Sequence, residues 1–117
     1  MAKIIVYQKP TCTTSRKVVK ALSEKGIDFE KVNYYETPFT KTKLNDLLKR
    51  MKMKPSELLR KNDKIYKELD FRNKKYTEKQ IMDLMIKHPD LIQRPIVQKG
   101  AKVILARPPE TVNDLLK

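Results

Sequence analysis

The segment "KPTCTTSRK", residues 9–17, holds the chain's single cysteine, Cys12, among hydroxyls and cations. It follows a strand-like run and opens a helix-like one. At a helix start the free backbone N–H groups and the helix dipole favour negative charge. Both effects lower a thiol pKa and can cradle a tetrahedral oxyanion. Thr13, Thr14 and Ser15 add hydroxyl donors, and Arg16 and Lys17 add positive charge. Such a segment can supply a thiolate nucleophile together with its own anion cradle. A small side chain filling a tight turn accounts for a lone cysteine equally well, because free cysteine is among the most buried residue types. The local residues leave both readings open.

Three arginines stand out by context. Arg60 follows the pair Leu58-Leu59, Arg94 precedes Pro95 at a strand start, and Arg107 precedes Pro108 at a strand end. Arginine forks match tetrahedral oxyanions bidentately, and several convergent ones would stabilise charge developing in a displacement. From spacing alone each reads as a solvated surface cation. Pro95 opens its strand, which a sheet edge tolerates, and a cis bond is open to it. His88, before Pro89, reads as a helix C-terminal residue. No second His or Cys joins it, so no metal site is expected. Met51 and Met53 read as core filler.

The elements that must position these side chains follow from periodicity. "IIVY" (Ile4 to Tyr7) is a β-branched run closed by Pro10 and reads as a buried strand. Val18, Val19 and Leu22 recur at helical spacing and Gly26 offers a stop, so Thr13 to Lys25 reads as a helix. "IDFEKVNYY" (Ile27 to Tyr35) reads as a second strand, completing a β-α-β opening with parallel strands. The middle turns helical. Leu44, Leu47, Leu48 and Met51 form one stripe behind a Thr40 N-cap, and Pro55 starts a helix carrying Leu58 and Leu59. "TEKQ" (Thr77 to Gln80) has capping-box spacing, with Ile81, Leu84 and Met85 on one face until His88-Pro89. "PIVQ" and "AKVILA" then flank a hairpin turn at Lys99-Gly100, and a short helix after Pro108-Pro109 buries Val112, Leu115 and Leu116.

The order is therefore β-α-β, several helices, then β-β-α. That is an α/β fold with a helical insertion at about 40–88, within a single domain of 117 residues. With 27 Lys and Arg against 14 Asp and Glu the net charge is +13, which attracts anions of any size: nucleic acid, acidic lipid, acidic proteins or a small oxyanion. One cysteine excludes a disulfide scaffold. The N-terminal apolar run is too short for a signal-peptide core or a membrane span, so a reducing cytoplasm is expected, with no membrane association.

Taken together, "KPTCTTSRK" (9–17), "ELLRKND" (57–63), "HPDLIQRPIV" (88–97) and "RPPE" (107–110) resemble the glutaredoxin-coupled arsenate reductases and their relatives. The resemblance implies a thioredoxin-like (glutaredoxin-like) mixed sheet. It implies Cys12 as the thiolate that attacks arsenate, and Arg60, Arg94 and Arg107 as the arginines that bind the oxyanion and its thiol adduct. Ser15 and Arg16 would complete the anion loop, beside the hydroxyls of Thr13 and Thr14, and Pro95 would be the cis-proline beside the active cysteine. It reverses the surface reading of the arginines. With no resolving cysteine in the chain, glutathione as co-substrate would attack the Cys12–arsenic adduct. Glutaredoxin would then reduce the mixed disulfide, and arsenite would be released. No resident cofactor is implied, and a monomer is expected. The chain departs from the family at Gln8, where well-studied members carry histidine, and at Thr13, where they carry glycine.

Two other functions fit parts of this pattern. The related Spx-type regulators bind RNA polymerase and sense oxidation with a Cys-x-x-Cys pair, whose second position here is Ser15. A glutathione-dependent thiol oxidoreductase without arsenate activity would keep Cys12 and its loop but need no arginine triad. A nucleic-acid binder fits less well, because the aromatics fall in core-like runs without basic interleaving.

Overall fold

A computed structural model describes residues 3–61, 63–71, 73–107 and 109–116. The expected order is present: β1 (Ile4–Gln8), α1 (Thr13–Glu24), β2 (Phe29–Asn33), α2 (Lys41–Met51), α3 (Lys64–Glu68), α4 (Glu78–Lys87), β3 (Ile96–Lys99), β4 (Lys102–Leu105) and α5 (Val112–Leu116). The chain forms two compact units, Met1–Thr37 with Arg94–Lys117, and Pro38–Gln93. The second is the helical insertion, slightly wider than 40–88.

The first unit carries a four-stranded mixed sheet in the order β2-β1-β3-β4, the thioredoxin-like arrangement. β1 and β2 are parallel, pairing Ile4 with Phe29 and Gln8 with Asn33. β3 runs antiparallel to β1 and to β4. Ile4 and Val6 project from one face of β1 because strand side chains alternate. They meet Val18 and Leu22, which stand one turn apart on α1, and Val97, Ala106, Val112 and Leu115. Burying each large aliphatic side chain of this cluster stabilises the unit by roughly 1.5–3 kcal/mol. That burial fixes α1, and hence its first turn, against the sheet.

In the helical unit Thr40 caps α2, its hydroxyl accepting from Lys43 N at 3.1 Å. Thr77 and Gln80 close the expected capping box on α4. Leu44, Leu47 and Leu48 of α2 are buried, as are Ile81, Met82 and Met85 of α4. Among the described residues no helix is long and apolar enough to cross a membrane.

Several local expectations need correction. β2 is shorter than Ile27 to Tyr35, because the Asn33 carbonyl turns the chain, accepting from Glu36 N and Thr37 N. Pro55–Leu58 is a 3₁₀ turn rather than a longer helix, since Leu59 leaves it to form a bridge with Ile92. Met51 and Met53 are only half-buried, and the buried methionines are Met82 and Met85. Leu84 and Leu116 are likewise half-buried. The hairpin turn is Gly100-Ala101, because Lys99 stays in the ladder opposite Lys102. Gly100 takes the positive φ of 59° that such a turn gives to glycine. β3 is an interior strand, and Pro95 precedes it rather than lying at a sheet edge. Pro108 lies outside the described residues.

Candidate active site

The loop from β1 to α1 is closed by a hydrogen bond from Cys12 N to Lys9 O at 2.9 Å. Cys12 is the N-cap residue of α1, with extended backbone (φ −79°, ψ 126°), and its carbonyl accepts from Arg16 N at 3.0 Å. Its side chain makes no full capping hydrogen bond, so the first-turn N–H groups act on the sulfur electrostatically. Burial pushes the Cys12 thiol up. The Ser15 N–H and hydroxyl, the Arg94 guanidinium and the Thr14 N–H together outweigh it, lowering the thiol from 9.0 to about 7. These are the helix-start donors that the residue types at 13–15 suggest, plus a cation from a segment about eighty residues away; Arg16, the cation expected from the loop itself, is not among them.

Ser15 is fully buried and Arg94 is 4% exposed. Both favour the thiolate electrostatically, yet Ser15 Oγ and Arg94 Nε have no hydrogen-bond partner among the described residues. A buried donor left without a partner costs about 1–3 kcal/mol, and an anion at Cys12 would satisfy such donors. Arg94 Nη1 donates to the Tyr35 hydroxyl at 3.2 Å. Burial works against the guanidinium charge, but Tyr34, the Cys12 sulfur and Tyr35 offset it and hold Arg94 more firmly protonated than an ordinary arginine.

The remaining candidates divide. The Arg94–Pro95 peptide is cis, and Pro95 O accepts from Ala106 N at 2.9 Å. Arg107 is exposed and donates through Nη1 to the backbone carbonyl of Arg94 at 2.9 Å. It therefore braces the segment carrying Arg94. Arg16 is exposed and its Nε donates to Pro10 O at 3.0 Å, folding it over the loop. Thr13 is exposed and Thr14 half-buried on the first turn of α1. Arg60 belongs to the helical unit, where Nη1 lies 3.1 Å from Asp63 Oδ2. Gln8 is buried at the end of β1.

Sequence reasoning missed Lys9, Tyr34 and Tyr35. Lys9 Nζ lies 4.8 Å from the Tyr35 ring centroid, and Arg94 Cζ lies 6.0 Å from the same centroid. Tyr34 is buried, with its ring centroid 5.1 Å from that of Tyr35. A signal for them was present. Parallel strands end side by side, so polar aromatics just after β2 belong beside the loop just after β1.

Comparison with known proteins places the whole chain in one family. The ArsC family profile matches residues 7–115. An arsenate reductase of Escherichia coli is 39% identical over 116 residues, covering 99% of this chain and 82% of that protein. The uncharacterized protein YfgD of Escherichia coli K12 is 36% identical over 115 residues, covering 97% of each. The solved structure of an arsenate reductase from Vibrio cholerae superposes with a TM-score of 0.89 at 28% identity, covering 97% of each chain.

Proposed function

Since the chain belongs to the ArsC family, we propose that it reduces arsenate to arsenite in the cytoplasm, with Cys12 as nucleophile and glutathione and glutaredoxin as the source of electrons. One observation carries this reading: a buried arginine, Arg94, whose Nε has no partner among the described residues, acts on a helix-start thiol lowered to about 7. A thiol in that state is substantially ionised at neutral pH, and the donors that ionise it also suit a tetrahedral anion.

In the first step the Cys12 thiolate forms a bond to arsenic and one arsenate oxygen leaves, protonated, as water. Ser15 and Arg94 offset the charge on the remaining oxygens. Glutathione then attacks the adduct. The two sulfurs leave joined as a disulfide, their two electrons pass to arsenic, and arsenite departs. Glutaredoxin reduces the mixed disulfide and restores the Cys12 thiol. The role given to Arg60 rests on the "RKND" match alone. Arg107 acts through the Arg94 backbone, which its Nη1 bond supports.

The test is arsenate-dependent NADPH oxidation by the purified protein with glutathione, glutaredoxin and glutathione reductase, beside a Cys12→Ser control. Turnover that vanishes in the control is the expected result. A folded protein without turnover would overturn the reading. It would favour a thiol oxidoreductase that never meets arsenic, a role that the commitment of Arg107 to a backbone carbonyl also suits.

A further inference from the structure

We infer that Tyr35 is a positioning residue for this site: its hydroxyl anchors the Arg94 guanidinium through Nη1 so that the rest of the fork serves Cys12 and the anion bound there. The inference rests on the roles proposed above for Cys12 and Arg94. The chain builds the anchor from β2 onward. Asn33, the last residue of β2, accepts from Tyr35 N through its side chain at 3.0 Å and from Glu36 N and Thr37 N through its carbonyl. This turn buries Tyr34 and leaves Tyr35 half-exposed with its hydroxyl on Arg94.

Arg94 is thereby held at two points within one unit. Arg107 grips its carbonyl at 2.9 Å, and Tyr35 grips one terminal nitrogen at 3.2 Å. Nε, with no partner among the described residues, remains available. An arginine side chain has several rotatable bonds, and fixing the fork in advance removes the ordering cost when an anion binds. The Tyr35 ring serves a second cation, since Lys9 Nζ lies 4.8 Å from its centroid. Tyr35→Phe removes the anchor and keeps that ring. Tyr35→Leu removes both, together with the contact to Tyr34.

The experiment uses the single cysteine as its own probe. Iodoacetamide alkylation rates are measured against pH for the wild type, Tyr35→Phe, Tyr35→Leu, Arg94→Ala and the double variant Tyr35→Phe/Arg94→Ala, with folding checked by circular dichroism. Groups facing Cys12 or Arg94 that enter the profile are Tyr34 and Tyr35 from the turn after β2, Ser15 and Thr14 from α1, and Arg94 itself. Tyr35→Phe should lower thiolate reactivity at pH 7 by about threefold, a fraction of what a hydrogen bond to a charged group is worth, because the anchor acts on the thiol only through Arg94. The double variant should match Arg94→Ala. A wild-type profile for Tyr35→Phe with a defect only in Tyr35→Leu would reduce Tyr35 to ring packing and overturn the inference, as would additive effects in the double variant. Arsenate turnover is read separately. A shifted profile without wild-type turnover keeps the anchor and removes the reductase, whereas turnover with an unshifted profile does the reverse.

Discussion

Different kinds of contact order the interior of each of the two units. In the helical unit, residues 38–93, α2, α3 and α4 each start on a local cap, Thr40 on Lys43, Asp63 on Ile65 and Thr77 on Gln80. Ser56 on Glu78 and the Leu59–Ile92 bridge tie more distant residues together. In the sheet unit the decisive contacts are remote. Tyr7 pairs with Ile96, and Arg94 meets both Tyr35 and Arg107. The candidate chemistry gathers in the second kind of region. A site whose residues come from separate segments is pinned by the sheet that aligns them, while a local cap orients only its own helix.

Breaking that comparison at its strongest point means removing the thiol. Cys12→Ser should abolish arsenate turnover while leaving the fold intact, read by coupled NADPH oxidation and circular dichroism. Next in size, Arg94→Lys should lower kcat/KM roughly 100-fold, the scale of a lost preorganised donor, because a point charge cannot replace the fork. A near-normal rate would detach Arg94 from the chemistry. In the helical unit, Leu47→Ala should cost about 3 kcal/mol in denaturant unfolding, as a fully buried leucine does, without acting on any group that ionises Cys12. Thr77→Ala should cost about 1 kcal/mol by the same measurement, the value of one N-cap.

The smallest expected effect is a pH dependence. The folded thiol lies at about 7 against 9.0 ordinarily, so the folded state favours the thiolate. Its contribution to stability is fully present above pH 9 and is lost as pH falls through 7. The difference in stability between wild type and Cys12→Ser should therefore change in favour of wild type as pH rises from 7 to 9, by an amount muted by solvent exposure of the sulfur.

Legibility in the sequence divides along the same line. The capping box at Thr77 and the amphipathic stripe of α2 could be read because every participant lies within a few residues. The end of α2 could not, because Lys52 takes a left-handed conformation (φ 58°) where no glycine marks a stop. α3 went unforeseen since five residues are too few for periodicity to register. At the site, Cys12 and its hydroxyl neighbours could be read either as a helix-start anion cradle or as a small side chain filling a turn. Arg94 was recognisable only through a family pattern, and Tyr35 through neither route. Its relevance depends on the β1–β2 register, which composition does not carry. Arg107 was legible as a cation, but nothing in "RPPE" says that its guanidinium braces a carbonyl thirteen residues back.

The pairing of β1 with β3 also sets a timetable. During synthesis from the N-terminus, β1, α1 and β2 emerge first, and the helical residues follow. Only then does the strand arrive that pairs Ile96 with Tyr7 and Lys99 with Ile4. Until that moment β1 has one neighbour and an open flank of unpaired amides, the kind of edge on which growing chains stick to one another. The segment that closes the flank is the same one that delivers Arg94. A nascent chain thus carries its thiol for most of its assembly with the helix-start donors but without the buried cation that adds to them, and gains that cation in the same event that seals its sheet.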